Sequence, residues 1–67
     1  MSTSSDLALL SSLGAQIEEA GTRITDLAER YGATPDSAIA AELYGAERGL
    51  FAARRALGRA RTLLEEL

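Results

Sequence analysis

Residues 39–67 read IAAELYGAERGLFAARRALGRARTLLEEL, and this stretch decides the fold. Aliphatic and small residues recur in it at alternating steps of three and four, which places them in a line along one face of an α-helix. That line consists of Ile39, Leu43, Ala46, Leu50, Ala53, Leu57, Ala60, Leu64 and Leu67. The spacing predicts a helix over about residues 35–66, with leucine at one position of a heptad seam and alanine at the other.

The N-terminal half carries a second line with the same spacing. It consists of Leu10, Leu13, Ile17, Ala20, Ile24, Leu27 and Tyr31. Upstream of this line, Thr3 is followed three residues later by Asp6, an arrangement that favours the start of a helix because the side chains satisfy free backbone N–H groups. We therefore predict a first helix over about residues 5–31.

The two lines are separated by one break, residues 30–36, which read RYGATPD. Gly32 suits a left-handed residue that ends the first helix, Thr34 suits an N-cap, and Pro35 suits the first helical position. A loop over residues 32–34 is short enough to return the second helix antiparallel to the first. The sequence predicts an all-α chain with a single helical-hairpin domain over residues 1–67.

The two lines of residues can be set side by side in antiparallel helices so that the numbers of each pair of facing residues sum to 70. Ile24 then meets Ala46, Ile17 meets Ala53 and Leu10 meets Ala60, so that most layers combine a large side chain with a small one. Small residues at these positions would let the helices approach closely. The predicted helix-packing residues include Ala46, Ala53 and Ala60 for this reason.

Leu7, Gly14, Gly21 and Ala28 flank the first line at intervals of seven. A glycine inside a helix costs about 1 kcal/mol relative to alanine. Gly14 and Gly21 are therefore either tolerated or needed for the close approach of a neighbouring helix, and we favour the second interpretation. Three apolar or small positions in every seven exceed what one neighbour covers. The pattern predicts that two hairpins pair as a homodimer and form a four-helix bundle.

Enzyme chemistry finds no support in the residues. The chain has no cysteine and no histidine, which removes thiolate ligands and the commonest general base. The adjacent carboxylates of Glu18 and Glu19, and of Glu65 and Glu66, do not converge on one point. We expect no catalytic residue, no cofactor and no bound metal ion.

Charge and hydropathy bear on partners and on location. The net charge of −3 argues against a chain that mainly coats nucleic acid or an anionic membrane. No apolar run approaches the roughly 20 residues that a membrane span requires. The N-terminal residues lack the basic flank and apolar run of a secretory leader, so that we expect a cytoplasmic location.

Two groups of side chains on the second helix are candidate binding surfaces. The arginine group is Arg48, Arg54, Arg55, Arg59 and Arg61, and it forms a solvated face that complements the helix dipole, a nucleic-acid contact, or a contact for an acidic protein. The stripe formed by Tyr44, Arg48, Phe51 and Arg55 has steps of four, three and four. Aromatic and arginine side chains are enriched at binding hot spots, although stacking of each arginine on a neighbouring ring would explain the stripe equally well.

The sequence thus predicts a non-enzymatic protein interaction module, a small adaptor or regulator that binds itself and another protein. Two alternatives remain open at this point. One is a nucleic-acid-binding regulator that uses the arginine group, and the other is a structural subunit of a larger helical assembly. Salt dependence separates the first alternative from the main prediction, because nucleic-acid binding weakens steeply as salt rises.

Overall fold

A computed structural model describes residues 3–67 of the chain as an all-helical hairpin. Helix α1 spans Thr3–Gly32 and helix α2 spans Ser37–Glu65. The two helices pack against each other along their length, which confirms the predicted two-helix hairpin. Met1 and Ser2, which the predicted domain includes, lie outside the described residues.

The turn between the helices covers residues 33–36, slightly later than the predicted loop. Its central contact is the Thr34 hydroxyl, which donates to the Tyr31 carbonyl oxygen at 2.8 Å and accepts from the Asp36 backbone N–H at 3.1 Å. The Thr34 N–H also donates to the Tyr31 carbonyl, at 3.1 Å. One side chain therefore links the end of α1 to the turn before α2. The predicted N-cap at Thr34 and first helical position at Pro35 are wrong, because α2 begins at Ser37 and its N-cap is Asp36, which forms no side-chain cap hydrogen bond.

The prediction of a left-handed Gly32 is wrong. Within residues 3–67 no glycine has a positive φ, and Gly32 is the last residue of α1. The left-handed cap is unnecessary because Thr34 already engages a carbonyl at the end of α1 through two hydrogen bonds.

The hairpin is long and narrow. It measures 51 × 14 × 13 Å, and its radius of gyration is 15.5 Å. A compact domain of this length would have a radius of about 11 Å. Two helices side by side touch along one line only, and the structure therefore encloses little interior. Neither helix, over the described residues, is apolar enough along 18 residues to cross a membrane.

Burial is limited to a strip along the line of helix contact. Ala28 and Ala40 are the two buried residues among residues 3–67, with 0% and 4% of their surface exposed. The half-buried positions of α1 include Leu7, Leu10, Gly14, Ile17, Gly21, Ile24 and Tyr31. Those of α2 include Leu43, Glu47, Leu50, Arg54, Leu57 and Leu64. The leucine half of the predicted line on α2 thus lies at the contact.

The alanine half of that line does not lie at the contact. Ala46, Ala53 and Ala60 are exposed, as is Ile39. Three side-chain contacts between the helices show the cause, because they join Thr25 to Glu47, Glu18 to Arg54, and Ser11 to Arg61. On this side of the contact, Glu47, Arg54 and Arg61 of α2 reach α1, and the predicted placement of the alanines between the helices is wrong.

The difference arises from side chains that are long, charged and partly apolar. Glu47 and Arg54 lie near the contact line because their aliphatic stems cover the edge of the strip while their charged ends reach polar groups on α1. A pattern that counts charged residues as fully solvated assigns these positions to the outside. The prediction from this pattern consequently rotates α2 too far about its own axis and places the alanines between the helices.

The turn generates the first prediction. Thr34→Ala removes both side-chain hydrogen bonds and should lower the free energy of unfolding by about 1 kcal/mol. Thr62→Ala is the matched control, because the exposed Thr62 hydroxyl only donates back to the Gly58 carbonyl oxygen at 3.1 Å within α2. That change should be neutral. Urea denaturation followed by circular dichroism, at one protein concentration, measures both. Equal losses in the two variants would contradict the role of Thr34.

Candidate interaction surfaces

The hairpin has two broad faces, one on each side of the helix contact. The face that carries the polar contacts is here called the groove face, and it includes Ser11, Glu18, Thr25, Glu47, Phe51, Arg54 and Arg61. Helical spacing places the other face on the opposite side of both contact strips. It is here called the apolar face, and it includes Leu13, Ala20, Leu27, Ile39, Ala46, Ala53 and Ala60.

The apolar face exposes large aliphatic side chains. Leu13 is 37% exposed and Ile39 is 44% exposed, and the three alanines of α2 lie between them in exposed positions. Leu9 and Leu63, at the margin of this face, are 57% and 67% exposed. An exposed apolar surface of this kind is typical of an interface with another macromolecule.

The groove face contains two open cavities arranged end to end. The larger has a volume of about 390 Å³, and its apolar wall consists of Ile17, Gly21, Leu50 and Phe51. The smaller has a volume of about 320 Å³ and lies beside Gly14 and Gly58. Glu18 and Arg54 line both cavities, so that their ion pair stands between the two. The missing side chains of the glycines leave this groove between the helices.

Arg54 is the centre of the polar contacts in the groove. Its guanidinium lies 3.6 Å from a Glu18 carboxylate oxygen, and its Cζ lies 5.3 Å from the centre of the Phe51 ring. Both charged side chains are substantially exposed, so that the ion pair contributes only about 0–1 kcal/mol. These contacts place Arg54 and Phe51 beside each other at the edge of the larger cavity.

The predicted stripe of Tyr44, Arg48, Phe51 and Arg55 is only partly brought together. Tyr44 is half-buried, and Phe51 is 44% exposed beside the cavity. The arginine that stacks on Phe51 is Arg54 rather than either arginine of the stripe. Arg48 instead reaches back towards Gly45, where its terminal nitrogen would lie 3.6 Å from an added Cβ. Arg55 is exposed.

The predicted arginine group is divided by its contacts. Arg54 pairs with Glu18, while Arg61 pairs with Glu65 at 3.1 Å and donates to the Ser11 hydroxyl at 2.8 Å. Arg59 is exposed and forms no ion pair with residues 3–67. The group therefore does not present five free guanidinium groups to one ligand.

Gly14 and Gly21 border open space in the hairpin. A Cβ added at either position would meet no heavy atom within 4 Å outside its own helix. Helix α2 therefore does not approach α1 closely at these two positions. The predicted close approach of a neighbouring helix has no counterpart within a single hairpin.

The spacing of apolar residues did not identify Ser11, Glu18, Thr25 and Glu47 as residues that contact the opposite helix across the groove. Their signal was present, since Ser11, Glu18 and Thr25 are spaced by seven, as are Glu47, Arg54 and Arg61. The Thr25 hydroxyl lies between the Gly21 carbonyl oxygen, at 3.0 Å, and a Glu47 carboxylate oxygen that it contacts closely. In the described part of the chain, no three carboxylates are grouped so that they could hold a metal ion.

Comparison with protein-family models, with curated proteins and with solved structures finds no match for this chain.

The open groove generates the second prediction. Gly21→Ala should raise the free energy of unfolding by about 1 kcal/mol, because alanine favours the helix and its methyl group meets no neighbour. Ala28 stands one heptad further along the same line but is fully buried. Ala28→Leu should therefore lower that free energy by about 1–3 kcal/mol through overpacking. Thermal and urea melts measure both variants, and a loss of stability in Gly21→Ala would show that the groove is filled in solution.

Proposed function

We propose that this chain is a non-enzymatic protein interaction module. In this proposal, two hairpins join through their apolar faces into a homodimeric four-helix bundle. The groove faces then lie on the outside of the bundle and are available to another protein. The protein would act as a small adaptor or regulator by presenting two copies of one binding surface.

This proposal rests on the small amount of surface that the single hairpin buries. The hairpin exposes 4885 Å², whereas a compact protein of its mass exposes about 4100 Å². The excess of about 800 Å² is close to the area that each partner buries in a standard protein interface. A chain whose buried residues within the described range are two alanines lacks a core of ordinary size. Pairing with a second copy would supply one.

The chemistry of the two faces supports the choice of the apolar face for self-association. Its side chains are hydrocarbon, and their removal from water is favourable in proportion to their area. Covering the groove face would bury Glu18 and Arg54, which costs several kcal/mol for each ion unless further partners satisfy them. The groove face therefore suits a smaller or more polar contact than a permanent dimer interface.

The groove face has features of a partner site. Phe51 stands at the rim of the larger cavity with Arg54 stacked on it, and Tyr44 lies two turns before it on the same side of α2. Exposed aromatic and arginine side chains around an apolar depression are the usual components of a hot spot. Arg48 and Arg55 extend this surface outward, where either can pair with a carboxylate on the partner.

Dimer formation is the third prediction. Sedimentation equilibrium at tens of micromolar should give a dimer, and the thermal midpoint should rise with protein concentration. Ala53→Glu should raise the dissociation constant about 100-fold or more, because a carboxylate would enter the interface without a partner. Ala52→Glu is the control, since Ala52 is also exposed but helical spacing directs it away from both faces. A concentration-independent monomer, or equal effects of the two substitutions, would contradict the proposed interface.

Partner capture is the fourth prediction. The immobilised protein should retain a protein partner after nuclease treatment, and Phe51→Ala combined with Arg55→Ala should abolish that capture while the melting temperature and the dimer are preserved. Arg59→Ala serves as a control for the loss of one positive charge. Retention that depends on nucleic acid and falls steeply with salt would favour the nucleic-acid-binding regulator instead. Loss of the dimer in the double variant would show that Phe51 stabilises the fold or the dimer, and it would contradict its role as a partner-binding residue.

A further inference from the structure

We propose that the two-fold axis of the dimer runs parallel to the helices, so that both turns lie at the same end of the bundle. This inference rests on the proposed function, since it specifies how the second copy is seated on the apolar face. Helix α1 of one chain would then pack against helix α2 of its partner. The alternative is an axis perpendicular to the helices, which would place the two turns at opposite ends and pair like helices with each other.

The heights of residues along the hairpin follow from the contacts between the helices. Thr25 is level with Glu47, Glu18 with Arg54, and Ser11 with Arg61. The side-chain ends of residues whose numbers sum to about 72 therefore lie at about the same height. Rotation about an axis parallel to the helices leaves the height of every residue unchanged, so that a residue has the same height in both chains. A residue of α1 in one chain is therefore opposed by the residue of α2 in its partner with which its number sums to about 72.

The margins of the apolar face are complementary under that arrangement. The margin of α1 consists of Leu9, Gln16, Arg23 and Arg30, and that of α2 consists of Glu42, Gly49, Ala56 and Leu63. At equal heights, Leu9 faces the partner's Leu63, and Arg30 faces the partner's Glu42. The most exposed leucines on these two margins thus cover each other at the open end of the hairpin, while opposite charges meet near the turn.

The centre of the apolar face is complementary in size as well. To within one residue in height, Leu27 lies opposite the partner's Ala46, Ala20 opposite the partner's Ala53, and Leu13 opposite the partner's Ala60. Large side chains therefore face small ones on both sides of the middle, and two alanines meet at the middle. Such alternation lets layers interdigitate without voids.

An axis perpendicular to the helices loses both kinds of complementarity. Leu9 would face the partner's Arg30, and Glu42 would face the partner's Leu63, which leaves each charge against an apolar side chain. One half of the interface would contain Leu13 against the partner's Leu27, and the other half would contain alanine against alanine. The helices could not keep one spacing across such an interface, because two leucines require more room than two alanines.

Spin labels at two sites distinguish the arrangements, and the chain has no native cysteine that would interfere. Ala33→Cys labels the turn, and Ser37→Cys gives a second reading at the same end. Ala52→Cys labels the middle of α2 on its outer side, where both arrangements give a short distance. Double electron–electron resonance at tens of micromolar measures the separation between the two chains in each labelled protein.

We expect separations below about 40 Å at all three sites, since neighbouring helices in a bundle lie 8–10 Å apart and the two α2 helices lie across its diagonal. A short distance at Ala52→Cys together with one near the 51 Å length of the hairpin at Ala33→Cys would overturn the parallel axis but keep the dimer. Absence of any interchain distance at Ala52→Cys, with a monomer in sedimentation, would overturn the dimer and the proposed function with it.

Discussion

The constraint that shapes this protein is the narrow line along which two helices can touch. Each helix of the hairpin has one neighbour, and a single neighbour covers only a strip of its surface. Ala28 and Ala40 lie on that strip near the turn and are buried, while the other apolar side chains remain partly exposed. The elongated shape, the open glycine groove and the exposed aliphatic face all follow from this geometry.

The helices and their antiparallel return could be predicted because they depend on local signals. Apolar spacing of three and four, with a threonine, a proline and an aspartate after the only break, leaves few alternatives for residues 3–67. The conformation of Gly32 could not be predicted, since it depended on whether another group would engage the end of α1. The Thr34 hydroxyl does so, and the left-handed cap was not needed.

The rotation of α2 about its own axis was harder to predict for a different reason. Hydropathy treats an arginine as a single polar unit, whereas the stem of Arg54 belongs to the contact strip and its guanidinium to the groove. A rotation of α2 about its own axis, which brings Glu47 and Arg54 toward α1, is enough to move Ala46, Ala53 and Ala60 from the contact to the surface. The sequence predicted that Phe51 faces outward, and Phe51 is exposed, but the arginine that lies over its ring is Arg54 rather than Arg48 or Arg55.

The distribution of contacts along the hairpin has a consequence for its motion. Both buried alanines lie close to the turn, and the Thr34 hydrogen bonds close that end. Towards the chain ends, Arg61 contacts Ser11, and the nearby Leu9 and Leu63 are more than half exposed. We therefore expect the free energy of local opening to fall from the turn towards the ends, so that the helices separate first at the open end of the hairpin. The end segments are accordingly the part of the molecule whose conformation a bound partner could change at the smallest energetic cost.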